Sequence, residues 1–444
     1  MKFKLPIFLF CLSIFLLCYV YFRSEILYQG NKMSYYKPYY IFSFFLLSFS
    51  ILTFWFSKNL KIYFVIIGVS LLLTFYLFES FLLYKHFNRY EVQKIKQKIY
   101  FENTGKNYDT RPLIEVYQSL KEKGYTVKSS DIGYYLHKEN PKLKIFPLTG
   151  ISKTKTIVCN ENGYYSIFES DRFGFNNPDK EWNNAQIDFA IIGDSYVQGD
   201  CLDRPKDMGS LLRKLSGKTV LNFGVGGSGI LIQYGILKEY LPKNVKNIIL
   251  FFYEGNDIKN LKTELEFQIL NNYLENDKYT QKLKSRQNEI DDLIKKYINK
   301  VEAENSKSQK QYLIENSSKK LENFTKFLKL YRTRLLILKP QMKVPDEFGV
   351  IIDKIIKIAS QKNSKLYFVY LPEYSRYKGF YYRNDQLKEV QSIIENKGIR
   401  FIDINKEVFS KEDDPLKLFP FGLYGHYTSE GYSKITNFIY NNLN

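Results

Sequence analysis

The chain has 444 residues, of which 45% are hydrophobic, and its 65 Lys and Arg against 46 Asp and Glu give a formal charge of +19. That length accommodates one large domain and a further part, and the hydrophobic share is enough for a sizeable core. The lysines are scattered among Asn, Ile, Tyr and Phe rather than gathered into a basic block, which argues against a nucleic-acid partner.

In chain order, residues 1–84 read as three transmembrane helices. "PIFLFCLSIFLLCYVYF" (Pro6 to Phe22) and "YYIFSFFLLSFSILTFWF" (Tyr39 to Phe56) carry no charge, and "IYFVIIGVSLLLTFYLFESFLLY" (Ile62 to Tyr84) carries only Glu79. At about 1.5 Å per residue each crosses a hydrocarbon core of about 30 Å, the first two only just. No small-x-small cleavage site follows the first run, and Leu17 before Cys18 is too large for a lipoprotein signal. Glu79, near one end of its helix, reads as an interfacial or helix-packing residue rather than a proton relay. Three spans put the N-terminus and the C-terminal part on opposite sides. Lys2, Lys4, Lys58 and Lys61 flank one side, and Arg23, Lys32, Lys37, Lys85, Arg89 and Lys94 the other, so a plain positive-inside count places the C-terminal part in the cytoplasm, although long domains are exported despite such charges. Cys11 and Cys18 read as apolar filler in the first span. Cys159 and Cys201 permit one disulfide, which they need only in an oxidising compartment.

Residues 85–185 form a charged helical stem followed by a mixed α+β region. "RPLIEVYQSLKEKGY" reads as a helix ended by Gly124, and "GYYLHK", "KIFPLTGI" and "KTIVCNENGYYSIF" as short strands between turns. From 186 to 444 the pattern is α/β. The apolar runs "IDFAII", "TVLNF", "NIILFFY", "KLYFVYL" and "IRFIDI" alternate with helical stretches, and the first three end in glycine-bearing turns, as a parallel sheet covered on both faces requires. Residues 258–338 interrupt this rhythm with charged, helix-period sequence and read as an inserted helical hairpin or cap.

In an open parallel sheet, ligands bind where loops and helix N-termini converge at the carboxyl ends of the strands. The glycine-bearing turns lie on that edge. They carry "IIGDSYVQG", "NFGVGGSG" and "EGND", and "GHYTSEGY" follows near the C-terminus. In this order the four segments resemble the successive blocks of the SGNH/GDSL hydrolase superfamily, and "SDRFGFNNP" resembles a segment preceding GDS in membrane-anchored bacterial members. The resemblance implies a three-layer, flavodoxin-like α/β domain, with Ser195 as nucleophile and His426 as general base. It implies an oxyanion hole from the N–H groups of Ser195 and Gly227 and the Asn256 side-chain amide. His137 falls in the mixed region and His86 beside the membrane, outside the family's place.

Two departures stand out. The aspartate usually found two or three residues before the histidine is replaced by Tyr424 and Leu423, which leaves a Ser-His dyad or a carboxylate from elsewhere, Asp414 and Glu373 being the ones considered. Glu254 stands where the family has a glycine, which narrows the site or supplies it with a carboxylate. Asp194 and Asp257 read as structural acids at strand-to-helix turns. No His/Cys/Asp cluster has metal-ligand spacing, "GVGGSG" lacks the Lys-Ser/Thr of a P-loop, and no cofactor is expected.

The expectation is a serine esterase or O-acyltransferase, anchored in a bacterial inner membrane with its catalytic domain outside the cytoplasm. It would act on acyl, foremost acetyl, esters of envelope polysaccharide. Its partners would be the lipid bilayer, a carbohydrate or acylated glycan substrate and, for a transferase, a membrane protein delivering the acyl donor. The rival readings are a catalytically weak glycan-binding or scaffolding protein and a cytoplasmic esterase.

Overall fold

The structure is a computed structural model that describes residues 4–30, 33–87, 89–128, 131–306, 322–337, 343–378, 382 and 386–443. The chain divides into two compact units, Met1–Asn88 with Ile314–Pro340, and Arg89–Leu313 with Gln341–Asn444. The mixed region is therefore part of the same unit as the α/β sheet rather than a domain of its own. The expected insertion divides between the units, its first part packing with the sheet domain and its last with the N-terminal helices.

The first unit holds helices α1 (Lys4–Tyr21), α2 (Met33–Leu52) and α3 (Lys58–Phe87). Two helical stretches, Lys4–Leu27 and Lys58–Tyr84, are long and apolar enough to cross a bilayer. Of the three expected spans, the second, Tyr39 to Phe56, is corrected. Its helix opens on Tyr35, Tyr36, Lys37, Pro38, Tyr39 and Tyr40 and stops at Leu52, so its apolar part from Ile41 rises only about 18 Å.

The second unit opens with helix α4 (Arg89–Thr104) and a small sheet of β1 (Tyr125–Val127), β2 (Lys155–Ile157) and β3 (Ile167–Glu169), in which β1 and β2 are parallel and β2 and β3 antiparallel. "GYYLHK" is not a strand but part of the helix Ile132–Glu139, which turns Ile132, Gly133 and His137 inward. "KIFPLTGI" is buried yet forms no ladder, because side chains take its polar groups. Gln281 Oε1 accepts from the Phe146 N–H at 2.6 Å, and the His137 ring meets the Ile145 carbonyl at 2.9 Å.

The main sheet has five parallel strands, β4 (Ile187–Ile192), β5 (Val220–Asn222), β6 (Val245–Tyr253), β7 (Lys365–Leu371) and β8 (Arg400–Asp403), in the order β5-β4-β6-β7-β8. Period two divides its residues between two cores. Ala190, Ile192, Ile248, Leu250 and Phe252 face the helices Ile230–Tyr240 and Asp346–Gln361. Phe189, Ile191, Ile249 and Phe251 face Met208–Ser216 and Ser429–Asn442. With apolar cover on both faces, the open ground is the carboxyl edge. Helix Gln287–Ser306 of the insertion buries Ile290, Ile294 and Ile298, one residue per turn, in the first of these cores.

Candidate active site

β4 delivers the serine. A Cβ on Gly193 would stand 2.5 Å from Val197 Cγ2 and 3.1 Å from Phe251 Cβ, so a glycine is needed where the strand turns. Asp194 caps the next helix by accepting from the Tyr196 N–H at 2.9 Å. Ser195 then opens that short helix, Ser195–Gln198, and its hydroxyl donates to His426 Nε2 at 2.9 Å. "SDRFGFNNP" braces this turn. Asn176 donates to the Gln198 carbonyl at 2.8 Å and Asn177 to the Asn222 carbonyl at 2.9 Å, while Asp171 accepts from the backbone of Phe173 and Phe175 and from Asn177 and Trp182.

His426 lies just before the last helix, with the Tyr196 ring 4.7 Å from its own. Its outer partner is Glu161. Both carboxylate oxygens lie 3.1 Å from Nδ1, and one accepts from the His426 backbone N–H at 2.6 Å. A carboxylate only accepts, so the ring proton sits on Nδ1 and the Nε2 lone pair faces Ser195.

Here the expectation from sequence is corrected twice. Asp414 does not orient the imidazole; it caps its own turn, accepting from the Leu416 N–H at 3.0 Å. Nor does Glu373, which sits in the loop after β7 and donates its N–H to Glu254 at 2.7 Å. Glu254 also accepts from Arg376 Nε at 3.0 Å, from Arg376 Nη2 and from the Tyr382 hydroxyl at 3.1 Å, so its carboxylate ties down that loop and supplies nothing to Ser195.

Glu161 escaped sequence reading because it belongs to the turn "CNENG" of the mixed region, outside the α/β repeats. The available signal was Cys159, two residues earlier. Cys159 and Cys201 form a disulfide with their Cα atoms 4.9 Å apart, and Cys201 Sγ lies 3.8 Å from His426 Nδ1. The small sheet and its flanking turns make three further contacts with the same loop after Ser195. Lys128 pairs with Asp200, Asn162 donates to the Cys201 carbonyl at 2.9 Å, and Asp203 accepts from the Ile167 N–H at 2.8 Å.

Helix α4 and the segment that follows it support the loops that carry Glu161 and His426. The buried Lys96 ammonium donates to the Tyr424 carbonyl at 3.0 Å, and its charge also acts on Glu161. Tyr108 donates to the Asn160 carbonyl at 3.2 Å, and Tyr100 and Tyr108 pack on Phe421.

Burial works against both ions of the His426–Glu161 pair, yet each holds the other charged. The imidazole is raised above its ordinary value by Glu161, with smaller help from Asp200, and the Glu161 carboxyl is lowered by His426 and Lys96. Asp194 is pushed by burial up to about 6, and Asp257 is raised by burial and by Asp194. Asp257 accepts from the Tyr253 N–H at 3.0 Å, so both acids serve as braces of the strand ends.

Of the three expected oxyanion donors, Ser195 is buried and Gly227 and Asn256 are half-buried. Among the described residues no acceptor takes the N–H of Ser195 or Gly227 or the amide of Asn256. Gly227 has φ +76°, a left-handed conformation that favours glycine. Glu161, Cys201 and His426 form a cluster of three potential metal ligands. The Cys201 sulfur is already bonded to Cys159, which leaves two ligands, too few for a closed site. Such an arrangement of hydroxyl, imidazole and carboxylate can deprotonate the serine and return the proton to a leaving group. Compared with known proteins, the chain matches no family model and no curated protein.

Proposed function

We propose that this is a membrane-anchored serine esterase or O-acyltransferase of SGNH/GDSL type, acting on acyl esters of envelope polysaccharide, foremost acetyl. The observation that carries the reading is the continuous path Ser195 Oγ–His426 Nε2 and Nδ1–Glu161 at the carboxyl edge of the sheet. The strand order β5-β4-β6-β7-β8 supports it, being that of a flavodoxin-like doubly wound sheet. Glu161 also removes the strongest ground for a catalytically weak binding protein, which was the lack of a carboxylate for His426.

In the proposed reaction Ser195 Oγ attacks the ester carbonyl carbon as its proton passes to His426 Nε2. The N–H groups of Ser195 and Gly227 and the Asn256 amide receive the developing oxyanion. Collapse breaks the bond to the leaving alkoxide, which takes the proton from His426 and departs as an alcohol. Water or a sugar hydroxyl then attacks the acyl-serine, His426 again accepting the proton, and the second collapse frees Ser195. The imidazolium formed in each half is stabilised by Glu161.

The Cys159–Cys201 disulfide supports a catalytic domain outside the cytoplasm, since such bonds persist in oxidising compartments, and it weighs against the basic-residue count. The anchor in this proposal is the pair of long apolar helical stretches, Lys4–Leu27 and Lys58–Tyr84. The test is to give purified full-length protein a chromogenic acetate ester and look by mass spectrometry for acetyl on the peptide holding Ser195. Faster release of acetate in water identifies a hydrolase, and acceleration only by added glycan a transferase. No acetyl on Ser195, with no turnover, would sink both.

A further inference from the structure

The insertion returns to the N-terminal helices. Residues 322–328 are helical, a turn follows at 329–330, and a second helix spans Tyr331–Ile337. The inner side of this segment is fastened to α3 through polar groups. Glu79 is wholly buried and accepts from the Arg332 N–H at 3.1 Å, the Thr333 N–H at 2.8 Å and the Thr333 hydroxyl at 2.8 Å. One turn earlier on α3, the Tyr76 hydroxyl donates to the Leu328 carbonyl at 2.9 Å. Arg334 donates to the Tyr35 hydroxyl at 3.1 Å and lies over the Tyr39 ring.

The outer side is apolar and uncovered, with Phe324 58%, Leu328 51%, Tyr331 39% and Leu335 41% exposed. Depth along α3 says what meets that face. From Lys61 to Glu79 an α-helix rises about 27 Å, close to the roughly 30 Å hydrocarbon thickness, so Glu79 and its partners fall at the boundary between acyl chains and head groups. Tyr35, Tyr36, Tyr39 and Tyr40 open α2, and their position matches the aromatic belt found at that depth. Residues on the outside of α3 one to two turns from Glu79, Leu72 and Phe75, are themselves exposed and apolar, so the face of the insertion continues a surface of the same character.

We propose that residues 322–337 form an interfacial anchor that lies in the lipid bilayer at the acyl–head-group boundary. Phe324, Leu328 and Leu335 enter the acyl chains, and the exposed Lys329 ammonium is left for lipid phosphates. Glu79 makes this possible. Without its carboxylate, the N–H groups that open the second helix would face hydrocarbon unpaired. The hydrolase-like domain is thus tethered to the membrane at a second point, from the middle of its own sequence. The inference rests on the membrane reading of α1 and α3, but not on any catalytic role.

The test uses full-length protein in vesicles whose lipid is brominated near the head-group end of the acyl chain. Native Trp55, at the junction of α2 and α3, reports the anchor itself. Phe324→Trp and, as a second probe, Leu335→Trp, each combined with Trp55→Phe, report the insertion above the common background of Trp182. The expected result is a loss of emission at 324 and 335 comparable to that of Trp55, with shielding from aqueous iodide. Quenching of Trp55 alone would overturn the interfacial anchor and leave the spans standing. Probes that are shielded but unquenched, with emission depending on protein density, would assign the face to a second copy of the chain. If Trp55 is unquenched as well, the membrane reading fails and the inference with it.

Discussion

Glu161 and His426 lie 265 residues apart, yet a single carboxylate bonds both the ring Nδ1 and the backbone N–H of the histidine. One contact selects the tautomer and the other holds the loop. The small sheet thereby becomes part of the candidate site, since β2 and the turn after it deliver a carboxylate that the main sheet lacks.

Replacing Glu161 by Gln keeps its shape and removes its charge. We expect kcat to fall by about 10³-fold, within the loss of up to about 10⁴ seen when such a carboxylate is neutralised. The pH profile gives a separate signature. His426 acts as a base only when neutral, and Glu161 holds its pKa above the ordinary value, so the acid limb of kcat/KM lies above about 6.5 in the wild type. In Glu161→Gln only burial remains large, and the limb moves to lower pH. An unmoved limb would contradict the assignment.

Asn256→Ala removes one oxyanion donor without touching the Ser195–His426 bond. The expected loss is about 10²-fold to 10³-fold in kcat with little change in KM, because the charge it stabilises exists only in the transition state. Steady-state kinetics on a soluble acetate ester measure it. A rise in KM at constant kcat would assign Asn256 to ground-state binding.

Lys96→Met tests the support from α4. Loss of the bond to the Tyr424 carbonyl and of the charge beside Glu161 is expected to lower kcat about 10-fold to 100-fold, the range spanned by a charged hydrogen bond worth roughly 1.5–3 kcal/mol, with Lys96→Arg recovering part of it. Equal activity in all three proteins would show that the helix is mere scaffold.

The disulfide closes a sequence separation of 42 residues. Substituting both Cys159 and Cys201 by Ser is expected to cost about 3–4 kcal/mol of stability, seen as a lower unfolding midpoint in denaturant. Because Glu161 follows Cys159 by two residues, kcat falls as well, even well below the unfolding transition. Retained kcat would separate the disulfide from the orientation of Glu161.

The parts legible in sequence were those that repeat or carry a local signature. Alternating strands and helices gave the sheet, and GDS, GVGGSG and GHYTSEGY marked the edge where Ser195 and His426 meet. Glu161 was not legible, because a carboxylate in an irregular turn looks like any solvated acid until the chain around it is folded. "GYYLHK" misled for a related reason. Its aromatic residues favour a strand, but the inward turn of Ile132, Gly133 and His137 decides for helix. The segment Tyr39 to Phe56 carries no charge and so resembles a span, but the tyrosines that open α2 and its end at Leu52 leave too short an apolar run.

The most direct test of the central claim is labelling by a fluorophosphonate probe on purified full-length protein, wild type beside Ser195→Ala and His426→Ala. The account predicts strong labelling of the wild type, none of Ser195→Ala, and slow labelling of His426→Ala. A wild type that does not react, or a Ser195→Ala protein that reacts equally, would contradict it.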